Sequence, residues 1–282
     1  MTAASGELSG RTFLVTGGNT GIGRATVAVL AGRGGRVFLA CRSADKGRAA
    51  AADIAAATGN DAVTFLPLDL ADLASVRSCA EQFLARDEPL HVLINNAGVA
   101  GRRGVTADGY ELAFGVNHLG HFALTTALLG RLADSAAARV VTVASDAHTQ
   151  ARGVDFEAMR RPTASFTGMP EYAVSKLCNV LFSAELARRV RDQGITSYSL
   201  HPGVVASDIW RRVPWPVRPL IKLRMISPEE GARTTLHCAA SAGAAAETGL
   251  YYEKSRPREP GRAATPELAS ELWERSTAWL GG

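Results

Sequence analysis

A strand that breaks on glycines and restarts as a helix limits this chain's fold more than any other stretch. Arg11-Thr12-Phe13-Leu14-Val15-Thr16 is a β-rich apolar run, and it stops at Gly17-Gly18-Asn19-Thr20-Gly21-Ile22-Gly23 before Ala- and Val-rich helical sequence that lasts to about Gly32. A turn of this kind lets backbone approach a pyrophosphate, and the helix behind it offers unpaired N–H groups and a positive dipole end. The spacing is G-x-x-x-G-x-G, not G-x-G-x-x-G. Any tight strand-to-helix turn favours glycine, so the stretch alone supports a nucleotide cradle or a purely conformational turn.

The pattern then repeats. Arg36 to Ala40 reads as a strand, Ser43 to about Thr58 as an Ala-rich helix, and Ala62 to Leu66 as a strand. A helix from near Leu73 to about Arg86, a strand at His91 to Ile94, and a long helix from Thr106 to about Ala133 follow. Arg139 to Ala144, Ile195 to Leu200 and Thr248 to Tyr252 complete seven strands. Alternation of this kind predicts an α/β doubly wound, Rossmann-type fold in one domain over 1–282: a seven-stranded parallel sheet, helices on both faces, and a ligand beyond the strands' carboxyl ends. Asp146 to Pro170 is polar, holds Gly153, Pro162 and Gly168, and predicts an irregular surface insertion of about 146–170. Residues 205–227 carry Trp210, Pro214, Trp215, Pro216 and Pro219, a composition that suits an apolar-lined lid over a substrate or a loop covering core.

Chemistry enters through residues at strand ends. A reader of a 2′-hydroxyl would place an acid after the second strand; here Cys41 is followed by Arg42, which suits a 2′-phosphate and favours NADP(H) over NAD(H), or is simply a solvated Arg on a loop. Asp69 follows the third strand, positioned to accept from an adenine amino group or to cap the next helix. Asn95-Asn96-Ala97-Gly98 follows the fourth strand, and Ser145 the fifth, where a carbonyl-binding hydroxyl belongs or a strand simply ends. Asn117 lies between Gly115 and Gly120, where a weakened helix frees a backbone group for a polar task. His118 and His121 have no carboxylate or thiol alongside, so no metal site is expected.

Tyr172 and Lys176 sit one turn apart on a helix read from about 171 to 192, and a cation within about 4–6 Å lowers a phenol's pKa. Such a phenol can exchange protons near neutral pH; the alternative is that Tyr-x-x-x-Lys is one of the many such pairs on helix surfaces. The chain carries 27 Arg and only four Lys, so an ammonium at 176 stands out where a compact rotatable donor serves better than a planar fork.

The remaining features exclude more than they assign. At 282 residues and 46% apolar composition, the chain can bury a full core. No window approaches eighteen uninterrupted apolar residues, and residues 1–10 lack an apolar leader, so neither a membrane span nor secretion is expected. Cys41, Cys79, Cys178 and Cys238 are scattered, which fits reduced core thiols in a cytoplasmic protein. The net charge of +4 is dispersed, and nucleic-acid binding is not expected.

Taken jointly, T-G-G-N-T-G-I-G at 16–23, N-N-A-G at 95–98, Asn117, Ser145, Tyr172-x-x-x-Lys176 and Pro202-Gly203 resemble the short-chain dehydrogenase/reductase family in order and approximate spacing. Asn19-Thr20-Gly21-Ile22-Gly23, Ala40-Cys41-Arg42, the run 116–122 and His201-Pro202-Gly203-Val204-Val205 look most like its retinol dehydrogenase and WW-domain oxidoreductase branch. The resemblance implies Tyr172 as catalytic acid/base, Lys176 lowering its pKa and bonding the nicotinamide ribose, Ser145 holding the substrate oxygen, and Asn117 holding a relay water. It also implies a cofactor cradle from Gly17, Asn19, Thr20, Gly21, Ile22 and Gly23, with Arg42 at the 2′-phosphate and Asp69 and Leu70 at adenine. Asn96, Ala97 and Gly98 would follow the adenosine ribose and nearby chain, Val205 would meet the carboxamide, and Pro202 and Gly203 would also touch the cofactor. Ser207 stands where the family usually has Thr and keeps the hydroxyl. Ala144-Ser145 replaces the family's frequent pair of serines, and the gap from Ser145 to Tyr172 is about twice the common spacing, which leaves monomer and homodimer as the expected states.

The implied activity is NADP(H)-dependent interconversion of a ketone or aldehyde and its alcohol, on a small, apolar or aromatic substrate. Reduction of an activated C=C bond is the alternative within the same fold. A non-catalytic NADP(H)-binding regulatory protein is the alternative outside enzymology, and keeping Asn117, Ser145, Tyr172 and Lys176 together argues against it.

Overall fold

The computed structural model describes residues 6–135, 137–203, 226–245 and 247–281. Its strands are β1 (Thr12–Thr16), β2 (Arg36–Cys41), β3 (Val63–Pro67), β4 (Val92–Asn95), β5 (Ala138–Val143), β6 (Ile195–His201), β7 (Tyr251–Glu253) and β8 (Arg256–Arg258). They form one sheet in the order β3-β2-β1-β4-β5-β6-β7-β8, parallel except for β7 with β8. The chain winds outward from β1 to β3, then returns to lay β4 against the other side of β1. The carboxyl ends of β1 and β4 therefore flank the point where winding reverses, the place where open α/β sheets open a crevice.

Alternation along each strand explains why both sheet faces are covered. In β1, Phe13 and Val15 face one core layer with Val27 and Leu30 of α1 (Gly21–Gly32) and Ile54 of α2 (Ala44–Thr58). Leu14 faces the opposite layer, with Cys79 and Phe83 of α3 (Leu73–Leu84). β4 repeats the split, with Val92 and Ile94 on the first face and Leu93 on the second. All three of those β4 side chains are fully buried, and each contributes about 1.5–3 kcal/mol relative to exposure.

Three expectations change. The sheet has eight strands: β8 is a three-residue antiparallel edge, Arg-Pro-Arg, reached through Lys254 and Ser255, both at positive φ. Its sequence has no apolar alternation that would mark a strand. The long helix begins at Leu112 and not at Thr106, because the buried Glu111 carboxylate accepts the Phe114 N–H and starts α4 (Leu112–Phe114). Thr106 instead closes a turn with Tyr110. A π-helical turn at Gly115–Leu119 then interrupts the helix before α5 (Gly120–Ala133). The continuous helical stretch Leu112–Ala133 is long and apolar enough to cross a membrane, but 72% of its most apolar window is buried inside the protein, as in a core helix.

The insertion after Ser145 consists of two 3-10 turns, Asp146–Gln150 and Ala158–Arg160, with irregular chain between. Met159 roots it among Tyr110, Phe114 and Leu177. Helix α6 (Met169–Arg189) follows, starting at Gly168 with φ +66 and Pro170 in the first turn. Helix α7 (Pro228–Ala240) carries the capping box formed by Ser227 and Glu230. Helix α8 (Pro266–Trp279) covers the back of α6: Trp273 stacks on Phe182 at 5.9 Å and meets Phe122 edge-on at 4.9 Å. All four cysteines are free and buried, and burial alone pushes the Cys79 thiol up to about 12.

Candidate active site

The turn after β1 shows why glycine recurs there. Gly17 has φ +67, and a Cβ on it would sit 3.1 Å from the Cα of Ala97. A Cβ on Gly23 would lie 2.2 Å from the Gly17 carbonyl oxygen, so α1 can pack on its own entry turn only without one. Thr20, in extended conformation, makes no side-chain cap to α1, and the first turn, which includes Ile22, holds no acid. The leading N–H groups and dipole end are thus left for an external anion.

Beside that turn lies a cleft of about 250 Å³ lined by Gly17, Asn19, Ala40, Cys41, Arg42, Leu68, Asp69, Leu70, Ala71, Ala97, Gly98, Val99, Arg102, Leu112 and Val116. Glycines at the mouth, a guanidinium at the end of β2 and an apolar floor suit a dinucleotide's phosphates and adenine. Asp69 does not cap α3. Asp72 does, accepting from Ala74 N–H at 2.9 Å, while the Asp69 carboxylate takes the Ala71 N–H at 3.0 Å within the cleft wall. Asn96 is held inward, its amide donating to the Thr16 carbonyl at 2.8 Å, so its neighbours Ala97 and Gly98 supply the lining. Arg102 was not foreseen: it belongs to a loop without local pattern and reaches the cleft because Gly104 pairs with Thr163 of the insertion. Gly203 has φ +94 and faces Ile226, next to Pro202 beyond β6. Val205 and Ser207, and most of the expected lid at 205–227, lie outside the described residues.

Ser145 lies two residues past the end of β5 at Val143, and its hydroxyl accepts the Ala147 N–H at 3.2 Å. Its carbonyl is pinned by Nδ1–H of the buried His148 at 2.7 Å. From α6, half-buried Tyr172 and buried Lys176 project toward the same strand ends, with the lysine Nζ 5.8 Å from the centre of the tyrosine ring. Lys176 donates to the Val143 carbonyl at 2.8 Å. Asn117 is fully buried in the π-turn; its Oδ1 accepts from Val99 N–H at 2.7 Å, and its Nδ2 faces the Val99 carbonyl and the Ser175 hydroxyl, each at 2.9 Å. The site thus brings Asn117, Ser145, Tyr172 and Lys176 to the carboxyl ends of the middle strands, next to Gly98: a Cβ there would lie 3.1 Å from the Asn117 Oδ1 and 3.5 Å from the Lys176 Nζ.

The electrostatics reverse one expectation. Burial raises the Tyr172 phenol above its ordinary value, and the Ser145 hydroxyl beside it offsets only part of that rise. Burial also pushes the neighbouring Lys176 ammonium down, to about 7. Helical spacing gave the adjacency correctly, but it carries no information about desolvation, and here desolvation outweighs the charge pair. His118 and His121 point apart, the first to Ser276 on α8 at 3.0 Å and the second to Thr16 at 2.8 Å. Among the described residues no cluster of metal-ligating side chains occurs.

Comparison with known proteins agrees with this geometry. The short chain dehydrogenase family profile matches residues 11–215. Mouse retinol dehydrogenase 12 is 43% identical over 98% of this chain and 88% of its own length. A crystal structure of a protein from Mycobacterium Paratuberculosis superposes with a TM-score of 0.76 at 32% identity, covering 99% of this chain and 97% of that one. The complex of Pseudomonas aeruginosa RhlG with NADP superposes with a TM-score of 0.71 at 27% identity, covering 89% and 96%. The family match over most of the chain, the retinol dehydrogenase relatives and the NADP-bound neighbour support an oxidoreductase that uses a nicotinamide cofactor on alcohol or carbonyl groups, and the chain belongs to the short chain dehydrogenase family, in its retinol dehydrogenase-like branch.

Proposed function

We propose that this protein is an NADP(H)-dependent reductase of an apolar aldehyde or ketone, running in reverse as an alcohol dehydrogenase, with Tyr172 as the proton donor. The observation that carries the reading is the meeting of the Tyr172 and Ser145 hydroxyls at the strand ends, with the Lys176 Nζ 5.8 Å from the tyrosine ring and held on the Val143 carbonyl next to Gly98. A phenol is protonated at neutral pH and can give its proton to a nascent alkoxide, a far stronger base. When bound, the nicotinamide supplies the hydride for the carbonyl carbon.

The chain's own groups do the rest. Ser145 and Tyr172 hydroxyls, side by side at the strand ends, polarise the substrate oxygen, each donating a hydrogen bond that strengthens as negative charge builds there. Lys176, fixed by the Val143 carbonyl, keeps two further ammonium hydrogens for the cofactor's ribose. Its buried setting means that an arriving anionic cofactor favours its charged form. Arg42, lining the nucleotide cleft with no acid at the end of β2, supports NADP(H) over NAD(H), since its fork matches a phosphate. The retinoid in the name of the mouse relative supports an apolar substrate. The test is a panel of retinoid, aromatic and steroid aldehydes, ketones and alcohols with NADPH, NADH and their oxidised forms, followed by nicotinamide absorbance and product analysis. Turnover of an apolar carbonyl with NADPH preferred is expected; an enone reduced at its C=C bond, or NADH preferred, would overturn the corresponding part of the reading.

A further inference from the structure

The π-turn at Gly115–Leu119 wraps one residue more than an α-helical turn, with Gly120 N–H bonded to the Gly115 carbonyl. Inserted turns of this type commonly mark functional positions. Four residues beyond Asn117, the His121 side chain folds back on this turn. Its Nδ1 lies 3.0 Å from the Asn117 main-chain carbonyl and its Nε2 lies 2.8 Å from the Thr16 hydroxyl. A carbonyl only accepts, so Nδ1 bears the hydrogen; Nε2 is then an acceptor, and Thr16 must donate to it. The ring is 1% exposed, and burial pushes its pKa down to about 4, which preserves this neutral tautomer at working pH.

Both ends of the imidazole lead somewhere specific. The Thr16 hydroxyl, giving its one hydrogen to the ring at 2.8 Å in preference to the Ile94 carbonyl at 3.5 Å, accepts from Asn96 N–H at 2.9 Å and Ala97 N–H at 3.0 Å. That fixes the turn whose Ala97 and Gly98 line the nucleotide cleft. On the other side, the Asn117 residue held by Nδ1 places its amide on the Ser175 hydroxyl at 2.9 Å, and that hydroxyl donates to the Tyr172 carbonyl at 2.8 Å.

We propose that His121 is a positioning residue with two separable arms: Nε2, through Thr16, sets the Asn96–Gly98 wall of the cofactor cleft, and Nδ1, through Asn117 and Ser175, sets the first turn of α6 that carries Tyr172. The inference rests on the functional reading above, and its two arms predict different losses. A buried histidine that only satisfied core polar groups would, when changed, lower stability, affinity and turnover together.

The test uses two substitutions that each keep one arm. His121→Gln brings an amide oxygen near the Nε2 position and lacks the Nδ1 donor. His121→Asn keeps a donor near the Nδ1 position and lacks the acceptor for Thr16. Three quantities are read: NADPH affinity by fluorescence titration without substrate, reduction rate at saturating NADPH, and melting temperature. A buried hydrogen bond left half-made is worth roughly tenfold in an equilibrium. The Gln variant is expected to bind NADPH within about threefold of wild type and to lose about tenfold or more in rate. For the Asn variant, affinity should fall about tenfold while the rate stays within about threefold. Thr16→Val should reproduce the Asn signature, and combining the two should cost little more than either alone. If both variants lose affinity and rate in proportion to melting temperature, or neither changes, the assignment is wrong. A wild-type protein that binds NADH better leaves the same split to be read with NADH and corrects only the cofactor reading; one that binds neither nucleotide overturns both.

Discussion

Lys176 donates to the main-chain carbonyl of Val143 at 2.8 Å, and Asn179 donates to the same oxygen at 3.1 Å. The carbonyl would therefore stay satisfied without the lysine, and what the lysine brings to the folded state is mainly a buried charge.

That charge makes stability depend on pH in a definite direction. The folded-state pKa of about 7 lies below the unfolded value of 10.5, so the fold binds fewer protons between those limits and stability rises with pH across them. Below pH 7 the full cost of burying the ammonium is present. Lys176→Met should raise stability by on the order of a few kcal/mol at pH 6, with the gain fading toward pH 10. Urea midpoints from pH 6 to 10 measure it; a gain that grows with pH would show that the lysine is not the buried cation described here.

Tyr172→Phe should lower turnover by roughly 10²–10⁴-fold while NADPH affinity changes by no more than a few-fold. The raised phenol pKa also separates the two directions of reaction. Reduction needs the protonated phenol and should hold its rate through neutral pH, then fall on the alkaline side; alcohol oxidation needs the phenolate and should climb with pH. Initial rates in both directions across pH 6–10 check the pair of slopes, and equal slopes would remove Tyr172 from proton transfer.

Arg42→Ala should weaken NADPH by about 10–100-fold, the loss of a charge-assisted hydrogen bond, and leave NADH within about threefold. Arg102→Ala, in the lining of the same cleft, should weaken both nucleotides by a similar, smaller factor. Binding titrations with the two nucleotides distinguish a 2′-phosphate contact from general attraction.

His118 is buried among Phe114, Phe122 and Phe182, and burial lowers its pKa to about 3, far below the unfolded 6.5. His121 behaves alike, at about 4. The unfolded chain takes up protons that the fold refuses, so stability should fall as pH drops from 6.5 toward 4. His118→Leu should shrink that acid slope by up to one proton, which urea midpoints between pH 4 and 7 would register.

Gly23→Ala should cost about 2–4 kcal/mol, because the added methyl meets the Gly17 carbonyl at 2.2 Å, backbone against backbone, with no side chain able to yield. Thermal melting checks it. Gly21, where an added Cβ meets nothing within 4 Å, would be limited instead by its φ of +54, a smaller strain.

Much of this architecture can be read from periodicity. The strand of Phe13, Leu14 and Val15 declares a two-faced sheet because its neighbours alternate between two helical layers, and Ser227-Pro228-Glu229-Glu230 declares a helix start by its own bonding. Legibility fails where long-range contacts decide. Arg256–Arg258 pairs only because a turn at Lys254 and Ser255 takes up left-handed backbone without glycine. The π-turn shows in sequence only as glycines on either side of Asn117, and nothing nearby marks His121 as the partner of a threonine 105 positions away. The same limit explains the tyrosine: four-residue spacing puts Lys176 next to Tyr172, while the burial that sets both pKa values comes from β5 and the elements packed over it.

Helix α8 lies against the reverse of the helix that bears Tyr172, with Trp273 on Phe182 and Ser276 on His118. Chains shortened before Thr265 would bare an oily seam behind the reacting groups. An inactive truncation of that sort would report a collapsed support and say nothing about the chemistry in front, so peptide tags and fusions are better attached past Trp279 than in place of the segment leading to it.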